Sequence, residues 1–178
     1  MKTTLRQYAG SQGGFTLVEL LIASAIGVVV MTGLTSVVLT TWRANTIATS
    51  RVDASSQIRN FEFSAYDDFA HSSVSGFGSC TNQAPCSTQP IVLTGTQLNS
   101  SGQAIPGYQI TYAWDGSSFL DRNVAPSGAT AHAATDVSAF SWYLDTTATH
   151  STVVVTISVT VQAYTETQIL RFYPRVNP

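Results

Sequence analysis

Three groups of side chains in this 178-residue chain have the types and spacing to do chemistry. The first is Gly14-Phe15 with Glu19 four positions on, a small residue and a large apolar one followed by a carboxylate. Glu19 is the only charge between Phe15 and Leu39. The second is the pair Cys80 and Cys86, separated by Thr-Asn-Gln-Ala-Pro. That spacing is not a CxxC redox or zinc pattern. Outside the cytoplasm it reads as a small disulfide loop; inside, as two free thiols. The third is Asp67, Asp68 and His71, which drawn together would make a metal or acid–base cluster and drawn apart a solvated helix end, the reading adopted. His132 and His150 are isolated and lack metal spacing. No GxSxG, HExxH or glycine-rich phosphate loop occurs. The residues therefore point away from an enzyme, with no catalytic residue, no metal and no cofactor expected.

Glu19 must be positioned by the run in which it sits. Residues 13–39 read GGFTLVELLIASAIGVVVMTGLTSVVL. An apolar run of that length predicts a membrane-spanning helix. From 15 to 39 it would be about 37 Å long, enough to cross a hydrocarbon core of about 30 Å with some tilt. A carboxylate inside such a helix costs about 2.5–3.5 kcal/mol at the bilayer centre, so Glu19 carries a functional expectation of its own. Lys2 and Arg6 are the only charges before the run. Positive charge there keeps the N-terminus cytoplasmic and places the rest of the chain outside. No Ala-x-Ala site follows the run, as a secretory signal peptide would require. The Gly-Gly pair lies before it instead.

Gly14-Phe15-Thr16-Leu17-Val18-Glu19 resembles the processing site of type IV pilins and pseudopilins. In that family a membrane prepilin peptidase cuts after the glycine, the new N-terminal residue is N-methylated, and a glutamate four positions later is needed for assembly. The resemblance implies cleavage between Gly14 and Phe15, N-methylation of Phe15, and a role for Glu19 in the axial register of one subunit on the next. Cleavage would also remove Lys2 and Arg6, and would place an amine one turn from the Glu19 carboxylate. Major pilins commonly carry a helix-breaking proline in the apolar half; this chain has none there, only Gly27 and Gly33.

The rest of the chain must then be a folded domain. Net charge is −2, charged residues make up 10%, and Lys2 is the only lysine. The six arginines past residue 14 are scattered, so there is no basic stripe for nucleic acid. After Leu39 no proline occurs before Pro85, and Ala54, Ile58, Phe61, Ala65 and Phe69 recur at spacings of four, three, four and four. They form one face of an amphipathic helix, with Arg51, Asp53, Arg59, Asn60, Asp67 and Asp68 on the other. One helix is predicted over residues 16–71, with Trp42 as an interfacial aromatic. Residues 72–89 and 124–135 read as loops. Strands are predicted at 91–93, 108–114, 118–122, 137–144, 152–163 and 168–173, with a hairpin turn at Asp115-Gly116. Along 152–163, Val153, Val155, Ile157, Val159 and Val161 form an apolar face.

The predicted fold is α+β: a long N-terminal helix, apolar half transmembrane, packed by its second half on an antiparallel sheet of four to six strands. The divisions are a leader (1–14), a transmembrane or filament-core helix (15–41), an amphipathic helix (42–72) and a periplasmic β domain (73–178). The order QIRNFEFSAYDDFAHSS, YAWDGSSFLDRN, VSAFSWYLD, a long strand and RFYPRVN resembles the J-type minor pseudopilins and W-type minor pilins. That resemblance implies a minor subunit that primes or caps a type IV pilus or pseudopilus. Its implied partners are prepilin peptidase, other minor and major pilins or pseudopilins, the inner-membrane assembly platform and the membrane itself, with no nucleic acid. The implied location is the bacterial inner membrane, N-terminus in the cytoplasm and C-terminal domain in the periplasm, and then the filament. A type II secretion subunit, or a filament-borne adhesion or substrate-binding subunit, would share these features.

Overall fold

The computed structural model describes residues 14–75, 80–95, 97–146 and 151–174. Lys2, Arg6, Gly13, His150 and residues 175–178 lie outside them. One helix, α1 (Leu17–Ala70), is followed by eight strands: β1 (Ser72–Ser75), β2 (Ile91–Gly95), β3 (Gln109–Trp114), β4 (Leu120–Ala125), β5 (Ala129–Ala134), β6 (Val137–Asp145), β7 (Thr152–Val161) and β8 (Tyr164–Phe172). The architecture is α+β and pilin-like. The chain divides into two compact units, 1–45 and 46–178. In the first, the helix is exposed along its length.

In the second unit the helical periodicity does what it predicts. Ala54, Ile58, Phe61 and Ala65 have no exposed surface and Phe69 has 1%. The sheet differs from the sequence expectation, because there are two antiparallel sheets rather than one. The first has the order β1-β2-β3-β4-β5, the second β6-β7-β8. The break falls at Thr135-Asp136, where Asp136 takes a left-handed φ of 57°. A non-glycine residue in that region turns the chain sharply, so β6 starts a new sheet instead of pairing with β5. The Thr135 amide donates to Gln57 Oε1 of α1 (3.1 Å), which pins the corner to the helix.

Phe61 meets both sheets. Its ring packs edge-on against Tyr112 of β3 at 5.6 Å, Phe140 of β6 at 6.3 Å and Phe172 of β8 at 5.9 Å. Phe69 stacks on Phe172 at 4.6 Å. Such pairs add roughly 0.5–1.5 kcal/mol each beyond the area they bury. On β7, Val153, Val155, Ile157 and Val159 are fully buried, but Val154 on the alternate face is also buried.

Two predicted loops contain strands. Ser72–Ser75 pairs antiparallel with β2. Residues 124–135 are mostly the end of β4 and all of β5; only Pro126, Ser127 and Gly128 form the turn. Gly128 has φ 70°, and its amide closes the turn on the Val124 carbonyl at 2.9 Å. The Asp115-Gly116 turn between β3 and β4 does form. The Asp115 carboxylate accepts from the amides of Ser117, Ser118 and Phe119 and from the Ser117 hydroxyl. The Ser117 bonds are the main reason its pKa lies far below the usual carboxylate range.

Candidate functional site

The helix N-terminus is built by its own sequence. Thr16 precedes the first helical residue, and its carbonyl accepts the Leu20 amide at 3.2 Å. The Glu19 amide donates to Thr16 Oγ1 (3.3 Å), while Glu19 Oε2 accepts from the Thr16 amide (3.1 Å) and the Thr16 hydroxyl (3.1 Å). This reciprocal arrangement is a capping box, which satisfies two backbone donors that a helix start otherwise leaves orphaned. Its Thr-x-x-Glu signature stands in the sequence at 16–19, yet sequence reasoning gave Glu19 only the amine that cleavage would expose as a partner, and not Thr16. Gly14 and Phe15 lie just outside the helix. Phe15 is 87% exposed, and a Cβ at Gly14 would meet nothing within 4 Å.

Beyond the cap, α1 is long and apolar enough to cross a membrane, and its apolar stretch is wholly unburied. Its hydroxyls bond back along the helix: Thr32 to the Val28 carbonyl (2.7 Å), Thr35 to Met31 (2.8 Å) and Thr40 to Ser36 (2.8 Å). Polar groups satisfied within the segment suit a medium without water. Gly27 and Gly33 sit within uninterrupted helix.

Asp67, Asp68 and His71 do not assemble into a cluster. His71 Nδ1 lies 3.4 Å from Asp67 Oδ1, both side chains well exposed. Asp68 points the other way. The sequence placed it on the polar face, but it is buried, with 7% of its surface exposed. Arg122 of β4 grips it through Nε (2.6 Å) and Nη2 (2.8 Å), and the Tyr112 hydroxyl donates to Oδ2 at 2.5 Å. A bidentate pair of this kind is both strong and directional. Hydrogen bonding to Asp68 raises the Arg122 pKa. Burial, and then the bond to Asp68, hold the Tyr112 phenol well above its ordinary 10.0. No group of three or more metal-ligating side chains occurs among the described residues.

Two features escaped the sequence. His132 Nδ1 lies 2.6 Å from Asp121 Oδ1, and the His132 ring stacks on Phe119 at 4.6 Å. Recognising the 126–128 turn would have paired Asp121 with His132. The second is the place of the small loop between Cys80 and Cys86; the two cysteines, which the sequence offered as a disulfide, are bonded with an S–S distance of 2.08 Å. The loop lies along the edge of β6: Cys86 and Trp142 exchange backbone hydrogen bonds at 2.9 and 2.8 Å, and the Leu144 amide donates to the Cys80 carbonyl at 3.0 Å. An open strand edge is a template for unwanted pairing, and here the small loop occupies it.

These features define an α+β protein with an exposed apolar helix headed by a capped glutamate. Residues 10–35 match the prokaryotic N-terminal methylation motif. That match supports a precursor of the type IV pilin kind, processed by prepilin peptidase and assembled with other pilins. No curated protein and no solved structure matches the chain.

Proposed function

We propose that the chain is a minor pilin or pseudopilin, cut after Gly14, N-methylated on Phe15 and built into a type IV pilus or pseudopilus as a priming, capping or shaft subunit. The observation that carries this reading is the methylation motif over residues 10–35, lying across the capped start of a fully exposed apolar helix. A helix with so much exposed apolar surface needs lipid or other helices around it. The C-terminal domain would then lie in the periplasm, where the Cys80–Cys86 disulfide is stable. Membership of the J-type pseudopilins or W-type minor pilins, and service in type II secretion rather than a pilus, are finer forms of the same proposal.

The test is the mass of the N-terminal peptide from cells together with the fate of Glu19→Val. A methylated peptide starting at Phe15 is expected, and an intact Met1 would refute the reading. Glu19→Val is expected to insert in the membrane and to fall at least tenfold in recovered filaments. Normal incorporation would remove the role assigned to Glu19.

A further inference from the structure

We infer that the free edge of β5 is the docking site for an extended segment of another protein, which adds a sixth strand to the first sheet. β5 is the last strand in the order β1-β2-β3-β4-β5, and among the described residues no strand pairs with its far side. The amides and carbonyls that point outward along such an edge are a template for a further strand. The other edges are guarded. The Cys80–Cys86 loop bonds to β6, β1 has only four residues, and β8 carries Glu166 and Arg171. From Ala129 to Ala134, β5 has no acid, lysine, arginine or proline, and apart from His132 its side chains are small. The pairing of β4 with β5 shifts register at Ala133, so residues 129–132 form the regular part of the edge.

Beside this edge lies a groove of about 900 Å³ between β5 and α1. Arg122 reaches across to Asp68 of α1 and is paired in register with Ala131, so Ala131 stands on the helix-facing side of the sheet. Phe63 and Tyr66 of α1, 84% and 71% exposed, line the same groove. A strand laid along β5 would stand about 4.8 Å from it, and every second side chain would point into the groove. Main-chain bonds to β5 would supply affinity, and those inward side chains specificity. The charges define the segment. Asp68 is held by Arg122, and Asp67 lies against His71. Arg59 and Glu62 also line the groove and have no ion-pair partner among the described residues. Arg59 and Phe63 are one turn apart, about 6 Å along the helix, close to the spacing of about 6.8 Å between alternate residues of a strand. An inward carboxylate would therefore meet Arg59, which can hold it through two bonds, while the next inward side chain, an apolar one, meets Phe63. Glu62 disfavours a second acid beside the first, so the segment is not a polyacidic one. The inference draws only on residues 46–178 and stands whether or not the chain is cut after Gly14.

The test presents a phage-displayed library of random linear nonapeptides to the full chain in detergent, then measures the selected peptides in free form by fluorescence anisotropy. The selected sequences should carry Asp or Glu two positions from an apolar residue. Binding should slow hydrogen exchange at least fivefold at amides within residues 129–132 and leave those of β8 unchanged. Methylating every second backbone nitrogen of the peptide should weaken binding at least tenfold in one register and less than twofold in the other, since only one edge of the added strand faces β5. Ala131→Trp, which fills the groove, and Arg59→Glu should each weaken binding at least tenfold, and Lys in place of the peptide's acid should restore binding to Arg59→Glu. Both positions are exposed, so an unchanged urea midpoint certifies the fold of each variant. No enrichment, peptides that bind as helices, protection at β8 instead of β5, the same response in both methylated registers, or indifference to both substitutions overturns the inference. The N-terminal mass from cells separates the two proposals. A chain that starts at Phe15 but selects no peptide loses the β5 site and keeps the pilin reading. A chain that keeps Met1 and binds as described loses the pilin reading instead.

Discussion

Asp68→Ala and Arg122→Ala test whether the buried ion pair holds the second half of α1 on the first sheet. The Asp68 side chain is 7% exposed and that of Arg122 27%. Removing one member of a well-buried pair costs about 3–5 kcal/mol, because the other charge is stranded. Arg122 retains some contact with water, which reduces the figure to about 2–3 kcal/mol for each single change. In Asp68→Ala the guanidinium keeps no carboxylate; in Arg122→Ala the buried carboxylate keeps only the Tyr112 hydroxyl. The double variant strands no charge, so it should cost little more than either single one, a coupling of about 2 kcal/mol. Urea unfolding of the full chain in detergent, followed by the fluorescence of buried Trp142, reads this directly. With a slope of about 1–3 kcal/mol per molar urea, each single variant should lower the midpoint by roughly 0.7–3 M. If the single costs add in the double variant to within about 0.5 kcal/mol, the two residues act independently and the reasoning fails.

Three further outcomes are expected. The Tyr112 phenol has a raised pKa in the folded state, while the unfolded chain ionises it near pH 10. Its stabilisation is therefore complete below pH 10 and is lost above it by up to about 1.4 kcal/mol per pH unit. Unfolding midpoints from pH 8 to 11.5 should show this fall in the wild type and a flatter one in Tyr112→Phe. Replacing Cys80 and Cys86 by serine should cost about 2 kcal/mol through the reopened loop, and should speed hydrogen exchange at the Trp142 and Leu144 amides; unchanged exchange there would show that the loop does not guard the β6 edge. A Cβ at Gly95 would lie 2.7 Å from Ser72 Oγ and 3.1 Å from the His71 carbonyl, so Gly95→Ala should cost about 1–3 kcal/mol and loosen β1 from β2. A neutral result in the same urea assay would mean that the β1–β2 contact yields freely.

The helix was legible because its signals are local and strong. An apolar run from 15 to 39, then Ala54, Ile58, Phe61, Ala65 and Phe69 at helical spacing, leave little choice of period. The observed α1 spans Leu17–Ala70, within a residue of the expected 16–71 at each end. Strands β3, β6 and β7 were legible for the same reason, through alternation. β5 was not, because Ala-Thr-Ala-His-Ala-Ala alternates polar residues only with alanine, a poor strand former, and lies at a sheet edge, where only pairing with β4 makes it a strand. The division into two sheets depends on the left-handed φ of one residue, Asp136, which composition does not announce. Asp68 was misplaced by a rule that is right on average. A carboxylate beside a helix end is usually solvated, and the partner that buries this one lies 54 residues away on β4.

Glu19 is where sequence and structure bear most directly on one another. A lone carboxylate in an apolar helix looks like an unpaid cost awaiting a neighbour. The capping box alters that account, because in the uncut chain Glu19 already accepts two hydrogen bonds from Thr16 and sits in the first turn, where the helix dipole favours negative charge. The precursor therefore has a local means of tolerating the residue in the membrane. Cutting after Gly14 would leave Thr16 and its hydroxyl in place and turn the amide nitrogen of Phe15 into a charged amine. The carboxylate would gain a competing partner without losing its first, and the competition could be won by the amine of a neighbouring subunit. On this reasoning Glu19→Gln, which keeps an acceptor for the cap but loses the charge, separates the two roles. It should retain helix initiation and lose filament incorporation, whereas Thr16→Val, which removes the hydroxyl alone, should weaken the cap by about 1 kcal/mol and spare incorporation. Equal loss of incorporation in both variants would show that capping, rather than charge, is what assembly requires.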